Sequence, residues 1–144
     1  MKKLIDNDLD NFHQTEITRG PNHISWFQFE LSKEVVVTKV LIFNRKDQVQ
    51  QQTIKLLLRV GYAKVDLIKH VWYRNRQLNL NARCSEWRFK EGETGEQIDM
   101  RCHEGQQGEI VSIQTTDTSI RRLGFAEVQI FGKGFQLICI SIFA

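Results

Sequence analysis

Residues 34–47 read EVVVTKVLIFNRKD. Val35, Val37, Leu41 and Phe43 occupy one alternating set of positions, and Val36, Val40 and Ile42 the other. A strand that is apolar on both sets belongs in the middle of a sheet with both faces covered. The run closes on three charges in succession, Arg45, Lys46 and Asp47. A buried strand ending this way delivers charge to the rim of the fold, where solvent-facing loops carry binding groups. On an extended chain Arg45 and Asp47 point to one side and Lys46 to the other.

The flanking sequence is β-like. In WFQFEL, Phe27, Phe29 and Leu31 alternate with Gln28 and Glu30. TIKLLLRVG places Leu56, Leu58 and Val60 on one face and stops at Gly61. EWRFK and EQIDMRC are separated by the turn-rich EGETG, and GEIVSIQTT and FAEVQIFG read as two further strands. KVDLIKHVWY fits a strand or a helix. Short strands at this spacing predict an all-β sandwich.

A chain of 144 residues suits one domain with a single core. The net charge is +3, with the basic residues scattered, which argues against a nucleic-acid face. No segment reaches the ~18–20 apolar residues of a membrane span, so membrane insertion is not expected. The start, MKKLIDNDLDN, has the lysines of a signal peptide but no apolar h-region. The end, FQLICISIFA, reads either as a buried final strand or as sequence foreign to the fold. The cysteines are Cys84, Cys102 and Cys139, an odd number that allows at most one internal bridge. Cys84 with Cys102 is the natural pair, closing a hairpin-sized loop; two buried free thiols are the alternative.

Taken in order, DNDLDNFHQT, SWFQFELSKEVVVTKVLIFNRKD, LLLRVG, ARCSEW, GEQIDMRC, GEIVSIQ and FAEVQIFG resemble the fucolectin (F-type lectin) family. That family is a branch of the galactose-binding-like, discoidin-type sandwiches. WFQFEL with VTKVLIFNR corresponds to its WW-x-[VL]-[DE]-L…V-x-x-V-x-I-x-N-R, and AEVQIFG to its closing C-E-V-E-V-[YF]-G. The resemblance implies a jelly-roll-like β-sandwich over residues 6–132, lacking the family's first strand, with residues 133–144 as an apolar C-terminal tail. Either the domain is a shortened variant or the tail fills the vacated place. Cys84 and Cys102 match a family disulfide.

The same resemblance implies a lectin for fucose-type terminal sugars. Family members bind in a shallow basic pocket built from a histidine, the Arg-x-Asp after the long strand and a further basic residue. Here these positions fall on His13, Arg45, Asp47 and Gln52. His23 replaces His13 if the ITRGPNH insertion folds differently. Arginine offers a planar fork of donors to two hydroxyls, Asp47 accepts from a hydroxyl and steadies the arginine, and histidine adds one donor or acceptor. The departures are chemical. Gln52 lacks the charge of the family's third basic group. Gln48 and Val49 stand where many members carry adjacent cysteines, and Asn11 and Ala126 where another disulfide would join.

The DNDLD stretch places Asp6, Asp8 and Asp10 at alternate positions. Calcium takes 6–8 oxygens from carboxylates and carbonyls. The family carries a structural calcium here, which implies Asp6, Asp8, Asp10, the carbonyl of Ala126 and the side chain of Glu127 as ligands. Lys3 falls on one upstream ligand position and cannot serve. The implied partners are fucosylated glycans or glycoproteins, met by a homo-oligomer, in a secreted, innate-immune setting. The alternative is a discoidin-like module that has lost sugar binding and makes protein or cell-surface contacts. No enzyme motif is present. Cys102 and His103 are adjacent and would point to opposite faces of a strand.

Overall fold

The computed structural model describes residues 13–14, 24–44, 55–65, 76–88, 96–115, 124–132, 135–136 and 139–143. Eight strands fall within them: β1 (His13–Gln14), β2 (Trp26–Asn44), β3 (Lys55–Gly61), β4 (Ala82–Arg88), β5 (Gln97–Thr115), β6 (Gly124–Gly132), β7 (Phe135–Gln136) and β8 (Cys139–Phe143). All pairings are antiparallel. The hydrogen-bonded order is β1-β6-β2-β5-β3-β4, with β7 added on β6 and β8 on β2.

β2 and β5 are each 19 residues long and run through both layers of the sandwich. The second half of β2, Lys39–Phe43, pairs with β6 on one side and with Arg101–Gln97 of β5 on the other. The first half, Trp26–Glu30, pairs with β8 and with Gln114–Ile110. One layer is therefore β1-β6-β2-β5, and the other is β8-β2-β5-β3-β4. Between them the register slips at Glu30/Val35 and again at Val37/Lys39. EQIDMRC and GEIVSIQTT, expected as separate strands, are one continuous strand. Glu104 and Gly105 sit at its corner with positive φ of 63° and 78°. Two successive left-handed residues turn the backbone without ending the pairing.

The layers close over one core. Phe27, Phe29, Leu31, Val37, Val40, Ile42, Leu56, Leu58, Val60, Ile98, Met100, Val111, Ile113, Phe125, Val128 and Ile130 make a single buried cluster. The alternation read in WFQFEL and KLLLRV is the inner face of the second layer. In EVVVTKVLIF the slip at Val37/Lys39 brings Val37, Val40 and Ile42 to the same core, while Leu41 and Phe43 remain half-buried.

The described ends of the excursion that leaves Gly61 and returns at Ala82, residues 62–65 and 76–81, lie over the outer face of the second layer. Trp26, Val65 and Leu78 form a small second apolar cluster with Ile24 against it. Side chains from the sheet and from the excursion's own end hold this cover by its backbone. Val65 N donates to Gln28 Oε1 at 2.8 Å, and Arg59 Nη1 donates to the Asn81 carbonyl at 2.7 Å. Asn81 bridges Ala63 through Oδ1 at 2.8 Å and Nδ2 at 2.9 Å. Gln28 of β2 and Arg59 of β3, on the non-core face, thus bind main chain.

A disulfide joins Cys84 on the edge strand β4 to Cys102 at the corner of β5, with Cα atoms 4.7 Å apart. It staples the outermost strand of one layer to the place where the layers join, and it removes the Cys102 thiol from any chemistry with His103. Nearby, the exposed Tyr62 donates from its hydroxyl to Glu34, as does Gln107 from its side-chain amide.

Two outcomes follow. Replacing both Cys84 and Cys102 by serine should lower the unfolding free energy by about 3 kcal/mol on the loop-entropy account, read by denaturant unfolding. The hydrogen bond to Glu34 raises the Tyr62 pKa above its ordinary value, with desolvation and the nearby carboxylates adding to it. A raised folded-state pKa means the phenol–Glu34 contact is intact below the tyrosine's ordinary pKa and is lost as pH climbs through the folded value. Ultraviolet titration should show one phenol ionising late, and Glu34→Gln should bring it back down.

Candidate functional site

Phe27 at the start of β2 packs on Phe125 at the start of β6, ring centroids 5.4 Å apart. These residues belong to opposite layers, so their contact fixes which strand ends meet. In one layer the ends are Asn44 of β2, Gln97 of β5 and Gly124 of β6. In the other they are Trp26 of β2, Thr115 of β5, Lys55 of β3 and Arg88 of β4. All stand at one rim. The described residues flanking segments 15–23, 45–54, 89–95 and 116–123 are therefore at this rim, and the corner with Glu104 and Gly105 is at the other end.

Backbone bonds pin the rim. Asn44 N donates to the Glu96 carbonyl at 2.8 Å, and Thr115 N to the Ser25 carbonyl at 2.9 Å. Ser25 N returns a bond to Thr115 Oγ1 at 3.3 Å. Lys55 and Glu86 add an ion pair at 3.2 Å between β3 and β4.

His13 is opposite Phe125 on one side of β6, and Asn44 is opposite Phe125 on the other. Two strand spacings separate His13 from Asn44, about 10 Å of backbone. Arg45 is bonded to Asn44 in the chain. Arg45, Asp47 and Gln52 themselves lie outside the described residues, as do His23, Asp6, Asp8 and Asp10. The backbone thus places His13 and the residue before Arg45 at the same height on the same rim.

Ala126 and Glu127 are described and both are buried. The pairing of β2 with β6 shifts between Phe43↔Glu127 and Asn44↔Phe125, so β6 carries one extra residue there. That bulge lets Phe125 face the core while Glu127 falls on the opposite face. Even so, the Glu127 side chain has no solvent exposure, 0%. Sequence reasoning picked Glu127 by its place in AEVQIFG; its complete burial was not visible there. Among the described residues, no group of three or more His, Cys, Asp or Glu is placed to hold a metal ion. Of the tryptophans, Trp26 packs beneath the cover and Trp87 against the main core, while Trp72 lies outside the described residues.

No family model matches the chain, and no curated protein matches it in sequence. Solved structures do match. A fucolectin from striped bass (Morone saxatilis) serum is 21% identical with a TM-score of 0.68, covering 96% of this chain and 42% of that one. The lectin domain of lectinolysin, in complex with Lewis b antigen, is 14% identical with a TM-score of 0.65, covering 92% and 83%. CpGH89CBM32-5 from Clostridium perfringens, in complex with GalNAc-β-1,3-galactose, is 14% identical with a TM-score of 0.64, covering 91% and 82%. The chain has the galactose-binding-like fold.

Phe125 is the residue on which the rim converges. Phe125→Ala should cost about 3–5 kcal/mol in denaturant unfolding, the range for truncating a buried aromatic ring.

Proposed function

We propose that this protein is a glycan-binding module whose site is the rim that carries His13 and the chain leaving Asn44. The observation that carries the reading is the alignment of His13 and Asn44 on either side of Phe125. Across the two strand spacings between them, His13 and the segment with Arg45 and Asp47 would reach a single sugar ring. The solved structures of similar fold are lectin and carbohydrate-binding domains, which supports the general class.

Within that class we propose a fucose-type terminal sugar. Arg45 would present its fork to two hydroxyls, Asp47 would accept from a hydroxyl and hold the arginine, and His13 would complete the set. Gln52 would supply neutral hydrogen bonds where a third cation stands in the resembling family.

A structural calcium is proposed between the acidic stretch of Asp6, Asp8 and Asp10 and the start of β6. Glu127 beside the bulge and the Ala126 carbonyl, with Asp6, Asp8 and Asp10, would provide the hard oxygens that calcium takes. The ion would tie the acidic turn to β6 and so steady the chain that leads to His13. The Cys84–Cys102 bridge favours an oxidising, extracellular setting.

Retention on fucose-agarose, followed by a glycan array, tests the reading. Arg45→Ala should weaken binding about 100-fold or more, the loss of a pair of charge-assisted hydrogen bonds, with the melting temperature unchanged. A folded protein that ignores every sugar would replace this reading with that of a discoidin-like module for protein or cell-surface contacts. Chelator should lower the melting temperature of the native protein but leave Glu127→Gln where it is; equal melting with and without chelator would remove the calcium.

A further inference from the structure

On β5 the inward-facing row of Val111 and Ile113 ends at Thr115, and on β2 the row of Val40 and Ile42 ends at Asn44. Each last residue is two places beyond a core residue and so shares its face. Both rows therefore finish at the rim in a polar side chain. Neither is there for solvent: Thr115 is 0% exposed and Asn44 5%. A polar group taken out of water at such a place has to be hydrogen-bonded.

Thr115 shows what the polar end of a row does. Its Oγ1 accepts from Ser25 N at 3.3 Å, so the side chain holds the main chain that enters β2. Asn44 occupies the matching place in the other layer, where the main chain leaves β2. Its neighbours on the core side are apolar. Across β6 it faces Phe125, whose ring packs on Phe27, and Ile42 precedes it on the same face. None of these side chains gives or takes a hydrogen bond. The Asn44 main chain serves the ladder, its N–H donating to the Glu96 carbonyl at 2.8 Å. The carboxamide still has two donors and an acceptor to place. Asparagine at the start of a turn places them on the main chain one or two residues on.

We infer that Asn44 is a positioning residue for the proposed sugar site: its buried carboxamide grips the main chain leaving β2 and fixes the direction in which Arg45 and Asp47 set out. The inference rests on the reading of this rim as a glycan site and deepens it by separating two tasks. Arg45 and Asp47 meet the sugar; Asn44, turned toward the core, acts through them. Its polar atoms add nothing to the apolar contacts beneath, so their loss should spare the fold and spoil the aim.

Asn44→Leu tests this on the intact protein, because leucine keeps the branched shape and puts methyl groups where the amide oxygen and nitrogen were. Hydrogen exchange read by mass spectrometry, with no sugar present, should show residues 45–49 exchanging about tenfold faster or more, the loss of a buried hydrogen bond, with β5 and the rest of β2 unchanged. Fucose binding should weaken about tenfold by the same loss. Asn44→Leu combined with Arg45→Ala should bind no more weakly than Arg45→Ala alone, since residues that act as one unit do not add. Asn44→Ala gives the same readouts if leucine unsettles the fold. Unchanged exchange at 45–49 would overturn the assignment, and so would additive losses in the double variant. A native protein that binds no sugar removes the proposed function instead, and the exchange measurement alone then decides whether Asn44 holds this chain.

Discussion

The structure depends on the contact between Phe27 and Phe125. β2 and β5 are long enough to belong to both layers, and the double register slip lets them fold back on themselves. That fold-back has many conceivable angles. The tilted pair of rings, part of the main buried cluster, selects the one in which both strand ends meet at a single rim. An aromatic pair of this kind is worth about 0.5–1.5 kcal/mol beyond its buried area, but its positional consequence is larger than its energy. Every connection that reaches the rim inherits its place from it.

The two ends of the sandwich are chemically different. At the rim, backbone bonds at Asn44 and between Ser25 and Thr115 fix the strand ends from which loops leave. At the corner, side chains do the holding: Tyr62 and Gln107 on Glu34, and Lys64 on Glu30 at 3.0 Å. A rim fixed through main chain leaves its loop side chains free to differ in sequence. That suits a place where ligand contacts are chosen.

Much of this was legible in the sequence. The alternation of Phe27, Phe29 and Leu31, and of Leu56, Leu58 and Val60, named the inner face correctly, because burial on one face leaves a period of two. The pairing of Cys84 with Cys102 was also within reach. The continuity of β5 was not. Gly105 and its polar neighbours look like a turn between two strands, and only the pairing with Val35–Val37 shows that the ladder carries on. The burial of Gln28 and Arg59 was equally hidden. Their partners are backbone atoms of a distant cover, and no pattern of side-chain types announces a main-chain acceptor. At the candidate site the order of motifs indicated which residues to compare, while the common height of His13 and Asn44 came from register alone.

The long central strand also shapes how the chain must assemble. Trp26 meets its partner Gln114 only after more than half the sequence has been made, so β2 waits as an unpaired ribbon. Non-local pairing of this kind is slow, and an open apolar edge invites pairing between copies. Glu30, Lys33, Glu34 and Lys39 punctuate the ribbon at short intervals. In the finished fold Glu30 and Glu34 hold the corner; on an unpaired strand, charges at such intervals also disfavour pairing between copies.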